Sequence, residues 1–273
     1  MIPFRGITVA VGEWYARTLE ICLRRNMRHM TECLVITTPR DELVKEIAGK
    51  VPGVRVYETD DFYAHGAHFN KGLCIERGFD VLGRDGWLMV WDSDCLWPDE
   101  MPLGELRTDT LYGARRRMLA DPAAWTPDLD WRTCPMMADG GPIGFAQLFH
   151  ADAPCLRDRR PWYDVSFAHA GGGDAAFMDL FPRDKRRILP LQVLHLGERD
   201  RSWFGTSPEA REIMSAFVIR NGWRRRPYHD PEAARRVGEI VERVEVPGYE
   251  PSAYELPFVR RAKAQKADQQ SHG

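Results

Sequence analysis

The sequence predicts an α/β fold organised on a doubly wound, mostly parallel sheet, and three observations carry that expectation. Over the first sixty residues, short runs rich in strand formers alternate with segments of helical spacing, the pattern of a parallel sheet with right-handed crossovers. A further apolar run, WLMVW at residues 87–91, is too short for a helix of its own and reads as a strand buried on both faces. It ends in two acids one residue apart, Asp92-Ser93-Asp94. That places both carboxylates at the carboxyl end of a strand, the edge where open α/β sheets bind ligands.

Taken in order, ITVAV at 7–11 is the first strand, and after Gly12 the residues Tyr15, Thr18, Leu19, Cys22, Leu23 and Met27 recur at helical spacing. CLVIT at 33–37 is the second strand. Thr38-Pro39-Arg40-Asp41 then makes a loop, with Asp41 as the N-cap of a helix over 42–48, and VRVY at 54–57 is the third strand. The polar and aromatic stretch ETDDFYAHGA, 58–67, reads as a loop at the carboxyl end of that strand. Phe69-Asn70-Lys71-Gly72 opens the next helix, in which Gly78 marks a kink or an internal stop. Lys71 falls in its first turn on the ligand edge, where it meets a phosphate or nucleoside unless it is simply solvated.

Beyond the central strand, TLYGA at 110–114 is another strand, running into Arg115-Arg116-Arg117 as a solvated edge or an anion site. A loop-rich region over 121–142 carries Trp125, Asp128, Asp130 and Trp131. It is either an acceptor wall, aromatic faces stacking on sugars or bases, or an irregular excursion held by two buried tryptophans. GFAQLF at 144–149 resumes strand character. Gly171-Gly172-Gly173 gives a permissive backbone before Asp174, which caps a helix over 175–180 and stays ionised there as a base or merely as a cap. ILPLQVLHL at 188–196 is a last strand holding His195, followed by Gly197 and by Trp203-Phe204-Gly205. Helices over 208–221 and 231–244, an extended 247–257 and a disordered tail complete the chain. Their arginine runs form a solvated face or a basic arm tracking a polyanionic acceptor.

Two carboxylates emerging side by side repel unless a cation or a donor network joins them. A hard divalent ion, Mn or Mg, bridging Asp92 and Asp94 to a diphosphate is the economical answer. Asp-Ser-Asp is also ordinary turn and capping chemistry. His195 is one polar group in an apolar run, hence a satisfied core histidine or, with Asp-x-Asp awaiting another donor, a metal ligand.

With 273 residues and 44% hydrophobic content, the chain is able to bury a substantial core. A formal net charge of -2 gives no global field of the kind that marks nucleic-acid binders. The six cysteines show neither CxxC nor zinc spacing, and read as small buried hydrophobes in a reducing compartment. The expectation is a cytoplasmic protein, with no signal pattern and no stretch long enough to span a bilayer.

The order of Asn70-Lys71-Gly72, Asp92-Ser93-Asp94, Gly171-Gly172-Gly173-Asp174 and His195 resembles that of GT-A fold nucleotide-sugar glycosyltransferases, over residues 1–205. The resemblance implies a GT-A-like mixed sheet, with a nucleotide-binding half over 1–98, an acceptor half over 99–205 and a helical extension over 206–273. It further implies inverting, metal-dependent transfer from a nucleoside-diphosphate sugar. Asp94 and His195 would bind the ion, Asp92 and Ser93 the ribose or the ion's water, Lys71 and Asn70 the donor, and Asp174 would be the base. Where many members carry an Asp at the end of the second strand, this chain has Thr37-Thr38-Pro39, which leaves the nucleoside to Thr37 and to Asp60 or Asp61. The acceptor is a glycan, a small molecule or, by similarity to phage-encoded members working in the host cytoplasm, a hydroxymethylpyrimidine in DNA. A sugar nucleotidyltransferase shares the sheet and the acids, but its Gly-rich, lysine-bearing loop is absent after the first strand. A non-catalytic sugar or nucleic-acid binding module is the other alternative.

Overall fold

A computed structural model describes residues 3–66, 69–137, 141–165, 170 and 173–197 of the protein. The expected alternation forms the first half: β1 (Phe4–Val9), α1 (Glu13–Asn26), β2 (Glu32–Thr37), α2 (Glu42–Gly49) and β3 (Val54–Glu58). There follow α3 (Lys71–Leu82), β4 (Trp87–Asp92), β5 (Cys95–Leu96), β6 (Leu111–Leu119), β7 (Ala146–His150), α4 (Gly173–Leu180) and β8 (Arg186–Leu196). The strands make one mixed sheet in the order β3-β2-β1-β4-β7-β6-β8-β5. β3, β2, β1 and β4 are mutually parallel, β7 is antiparallel to β4 and β6, β8 runs parallel to β6, and β5 closes the edge antiparallel to β8.

Strand alternation explains how the sheet carries helices on both faces. Phe4, Cys33, Val35, Met89 and Trp91 are buried in one cluster with Ala16, Leu19, Cys22 and Leu23 of α1 and Val44 and Ile47 of α2. Their neighbours Ile7, Leu34, Ile36, Leu88 and Val90 are buried on the opposite face. Gly78 of α3 packs there: a Cβ at Gly78 would stand 2.6 Å from Ile36 Cδ1 and 3.5 Å from Ile7 Cδ1. The expected kink at Gly78 is therefore corrected. The helix continues to Leu82, and the glycine lets it approach the sheet.

Three further expectations change. The stretch after β3 holds a 3-10 turn over Asp61–Gly66 where a loop was expected. Arg115, Arg116 and Arg117 lie inside β6, which extends to Leu119, so strand alternation sends them to different environments. Asp174 sits within the first turn of α4, as its second residue, and not at the cap position. The helices expected over 208–221 and 231–244, and the rest of the 206–273 extension, lie outside the described residues. No helix among the described residues is long and apolar enough to cross a membrane.

Contacts divide the chain into two units. The first contains every strand among the described residues; the second takes in the described parts of 61–73 and 163–176. Within the second unit, Asn70 caps α3 by accepting from the Leu73 N–H at 2.8 Å, and its amide donates to the Val165 carbonyl at 2.8 Å. Phe62 and Phe69 stack beside it with ring centroids 4.9 Å apart. A side chain at Gly72 would run into the Asp164 carbonyl oxygen. The Asn-x-Gly at this helix start thus has local reasons of its own.

All six cysteines are free thiols, five of them buried and Cys155 half-buried. Burial pushes Cys33 up to about 12 and Cys155 up to about 11. Alkylation of the native protein followed by peptide mass mapping should therefore label Cys155 first, faster as pH rises toward its pKa, because the thiolate is the nucleophile. Labelling the other five at the same rate would contradict this burial pattern.

Candidate functional site

The acids are positioned by the end of β4 and by what the chain does next. The register Val9↔Asp92 brings Asp92 out at the carboxyl end of the parallel strands. Ser93 and Asp94 turn the chain, and Cys95–Leu96 pair antiparallel with β8 in the register Cys95↔His195. The Leu196 N–H donates to the Asp94 carbonyl at 2.8 Å. That makes Asp94 and Leu196 the hydrogen-bonded pair and leaves Cys95 and His195 as the closer, non-hydrogen-bonded pair, side chains abreast on one face. On its other side β5 has no strand among the described residues. Asn26 of α1, fully buried, takes the place of one: its amide donates to the Cys95 carbonyl at 2.8 Å and its oxygen accepts from the Trp97 N–H at 2.9 Å.

The structure thereby brings together Asp94 and His195, 101 positions apart in number, with His195 Nε2 3.4 Å from Asp94 Oδ1. Cys95 Sγ lies 3.8 Å from the same oxygen, and the three ligand-type atoms are all within 4.8 Å of one another. Each of the three residues is at least nine-tenths buried. Burial, then the charges of Asp94 and Asp92, push the Cys95 thiol well above its usual range, with Arg116 acting the other way; burial and Asp94 do the same to Cys22. A carboxylate is therefore held in a low-dielectric site beside two neutral thiols. His195 Nδ1 and Ser93 Oγ are buried without a hydrogen-bond partner among the described residues. A carboxylate oxygen and an imidazole nitrogen this close suit a transition ion such as Mn²⁺ better than Mg²⁺, which favours an all-oxygen octahedron.

The remaining candidates are placed as follows. Asp92 is half-buried at the end of β4 and is outside the trio. Thr37 is fully buried, and its hydroxyl donates to Asp41 at 3.3 Å. Asp41 holds the N-cap position of α2, yet its carboxylate accepts from the Gly12 N–H at 3.0 Å and the Thr38 hydroxyl at 2.6 Å. It ties the turn after β1 to the end of β2 instead of capping its own helix. Asp60 is half exposed and ion-paired to Arg40 at 3.3 Å. Asn70, Lys71 and Asp174 belong to the second unit, Lys71 and Asp174 both in first helical turns. Of the three arginines, Arg115 is exposed while Arg116 is buried with its guanidinium 4.7 Å from the centre of the Phe145 ring. Trp125 and Trp131 pack, half-buried, against the core.

Sequence reasoning missed Cys95 and Asn26. Cys95 follows Asp94 directly, but only the pairing of a two-residue strand turns it toward His195. Nothing in the local pattern around Asn26 signals that it substitutes for a strand.

No family profile and no curated protein sequence matches the chain. Among solved structures, it is similar to the inositol-1-phosphate CTP transferase from T. maritima, at 9% identity and a TM-score of 0.43 over 78% of this chain and 96% of that one. It is similar to 4-diphosphocytidyl-2C-methyl-D-erythritol synthase from Anaerococcus prevotii, at 14% identity and a TM-score of 0.41, over 79% and 98%. The glycosyltransferase GlyE of Streptococcus pneumoniae is similar at 14% identity and a TM-score of 0.41, over 80% of this chain and 60% of that one. Likeness at this level bears on neither activity nor substrate.

Asn26→Leu should leave the Cys95 carbonyl and Trp97 N–H buried and unpaired, at about 1–3 kcal/mol for each group. Urea unfolding of the variant would show a lowered midpoint, and an unchanged midpoint would show that β5 is held by other means.

Proposed function

We propose that the protein is a metal-dependent glycosyltransferase that moves a sugar from a nucleoside-diphosphate donor to an acceptor hydroxyl with inversion. One observation supports the reading above the rest: a buried acid from the turn after β4 and an imidazole from β8 lie 3.4 Å apart. Asp94 and His195 would hold the ion. When bound, a divalent cation neutralises the charge that builds on the departing diphosphate.

The chain's own groups do the rest. Asp92, at the carboxyl end of the parallel strands, orients the ribose or accepts from the ion's water, with Ser93 beside it. Thr37 and Asp60 stand at the ends of neighbouring segments for the nucleoside. Asn70 and Lys71 act on the donor, Lys71 by its charge at the phosphates. Asp174, in the first turn of α4, takes the acceptor proton as the new bond forms.

The test is product analysis after incubation with a panel of sugar nucleotides and acceptors, with and without Mn²⁺. Sugar transfer that needs the ion and vanishes in Asp94→Ala, with circular dichroism unchanged, is the expected result. Release of pyrophosphate from a nucleoside triphosphate and a sugar phosphate would replace this reading with a nucleotidyltransferase. Nucleotide binding without turnover in any combination would replace it with a binding module. In the same assay Asp174→Asn should slow transfer by roughly a hundredfold or more while donor and metal affinity stay near normal, the signature of a lost proton acceptor.

A further inference from the structure

We infer that Cys95 is a third protein ligand of the ion held by Asp94 and His195, and that the site therefore selects a borderline-soft transition ion, Zn²⁺ or Co²⁺, over Mg²⁺. This rests on the reading of Asp94 and His195 as metal ligands.

Two of the three separations support it, and the sulfur lies within 4.8 Å of an imidazole nitrogen. An oxygen and a nitrogen each about 2.1 Å from one ion and tetrahedrally disposed stand about 3.4 Å apart, and an oxygen and a thiolate sulfur about 3.6 Å apart. In the protein these separations are 3.4 Å for Asp94 Oδ1 to His195 Nε2 and 3.8 Å for Asp94 Oδ1 to Cys95 Sγ. Adjacent oxygen ligands of an octahedral magnesium ion would stand closer, about 3.0 Å apart. At 3.4 Å the Asp94 to His195 contact is also longer than a good hydrogen bond, so the pair is better spaced to share an ion than to bond each other.

The backbone supports the same arrangement. Cys95 and His195 face each other across β5 and β8, and Asn26 clamps β5 at the Cys95 carbonyl and the Trp97 N–H. The thiol is thus delivered by a fixed strand. Its donor set of one carboxylate, one imidazole and one thiol matches protein zinc ligands in kind. Thiolate and imidazole favour ions late in the first transition row, whereas Mg²⁺ gains little from either. On coordination the S–H bond breaks, the sulfur keeps the electron pair and bonds to the ion, and the proton leaves to solvent.

The experiment is a titration of the full-length, metal-free protein with Co²⁺, followed by electronic absorption and repeated in competition with Mg²⁺. The expected result is one ion per chain with a thiolate-to-cobalt charge-transfer band in the near ultraviolet, unaffected by a large excess of Mg²⁺. In Cys95→Ser and Cys95→Ala, each checked for fold by circular dichroism, that band is gone. The weaker visible cobalt bands persist, and affinity falls by at least roughly tenfold, the lower end of what even outer-shell changes cost. Cobalt bound to the wild type without the thiolate band, and equally well by both Cys95 variants, overturns the inference and leaves Asp94 and His195 as ligands. Cobalt binding unchanged in both Asp94→Ala and His195→Ala overturns the metal reading itself, and the role of Cys95 with it.

Discussion

The candidate site depends on one short piece of backbone pairing, the register of β5 against β8. Two residues long, β5 has little intrinsic stability, yet its pairing decides whether Asp94 meets His195. Side chains alternate with a period of two, so a slip of one residue would turn Cys95 to the opposite face and carry Asp94 out of reach. The Leu196 to Asp94 hydrogen bond fixes this register from one side, and Asn26 fixes it from the other. A buried asparagine with both polar ends used is a strong constraint, since either backbone group would be costly to leave unpaired.

The consequence is a concentration of polar groups at the rim of the parallel strands, inside an otherwise apolar cluster. Burying a carboxylate carries a desolvation penalty of several kcal/mol, and the 3.4 Å approach of the imidazole offsets part of it. The thiols of Cys22 and Cys95 are raised there too, first by burial and then by the charge of Asp94. Apolar residues of similar volume would pack there at lower cost. The proposed cation would offset that cost. The rim is also stiffened from the first half of the sheet, where Asp41 joins the Gly12 N–H to the hydroxyls of Thr37 and Thr38.

Much of the fold is legible in the sequence because its signals are local. The β1 to β3 alternation, the strand before the acids and the strand ending at His195 are each written in five to eleven residues of apolar pattern, and each forms. What the sequence does not show is pairing between distant segments. Cys95 carries no sign that His195 lies across from it, and the arginines at 115–117 read as one basic run until strand alternation buries Arg116 and exposes Arg115. Gly78 reads as a break in a helix because glycine is a poor helix former, whereas the close approach of α3 to Ile36 and Ile7 requires it. Asp41 reads as a cap for the same kind of reason. Its carboxylate has stronger partners outside the helix.

The central claim is that Asp94 and His195 meet in order to share an ion, and anomalous scattering from a crystal soaked in Mn²⁺ tests it most directly. The account predicts one strong anomalous peak bonded to an Asp94 carboxylate oxygen and a His195 ring nitrogen. A crystal in which those side chains keep their direct contact while the manganese is found elsewhere would contradict it.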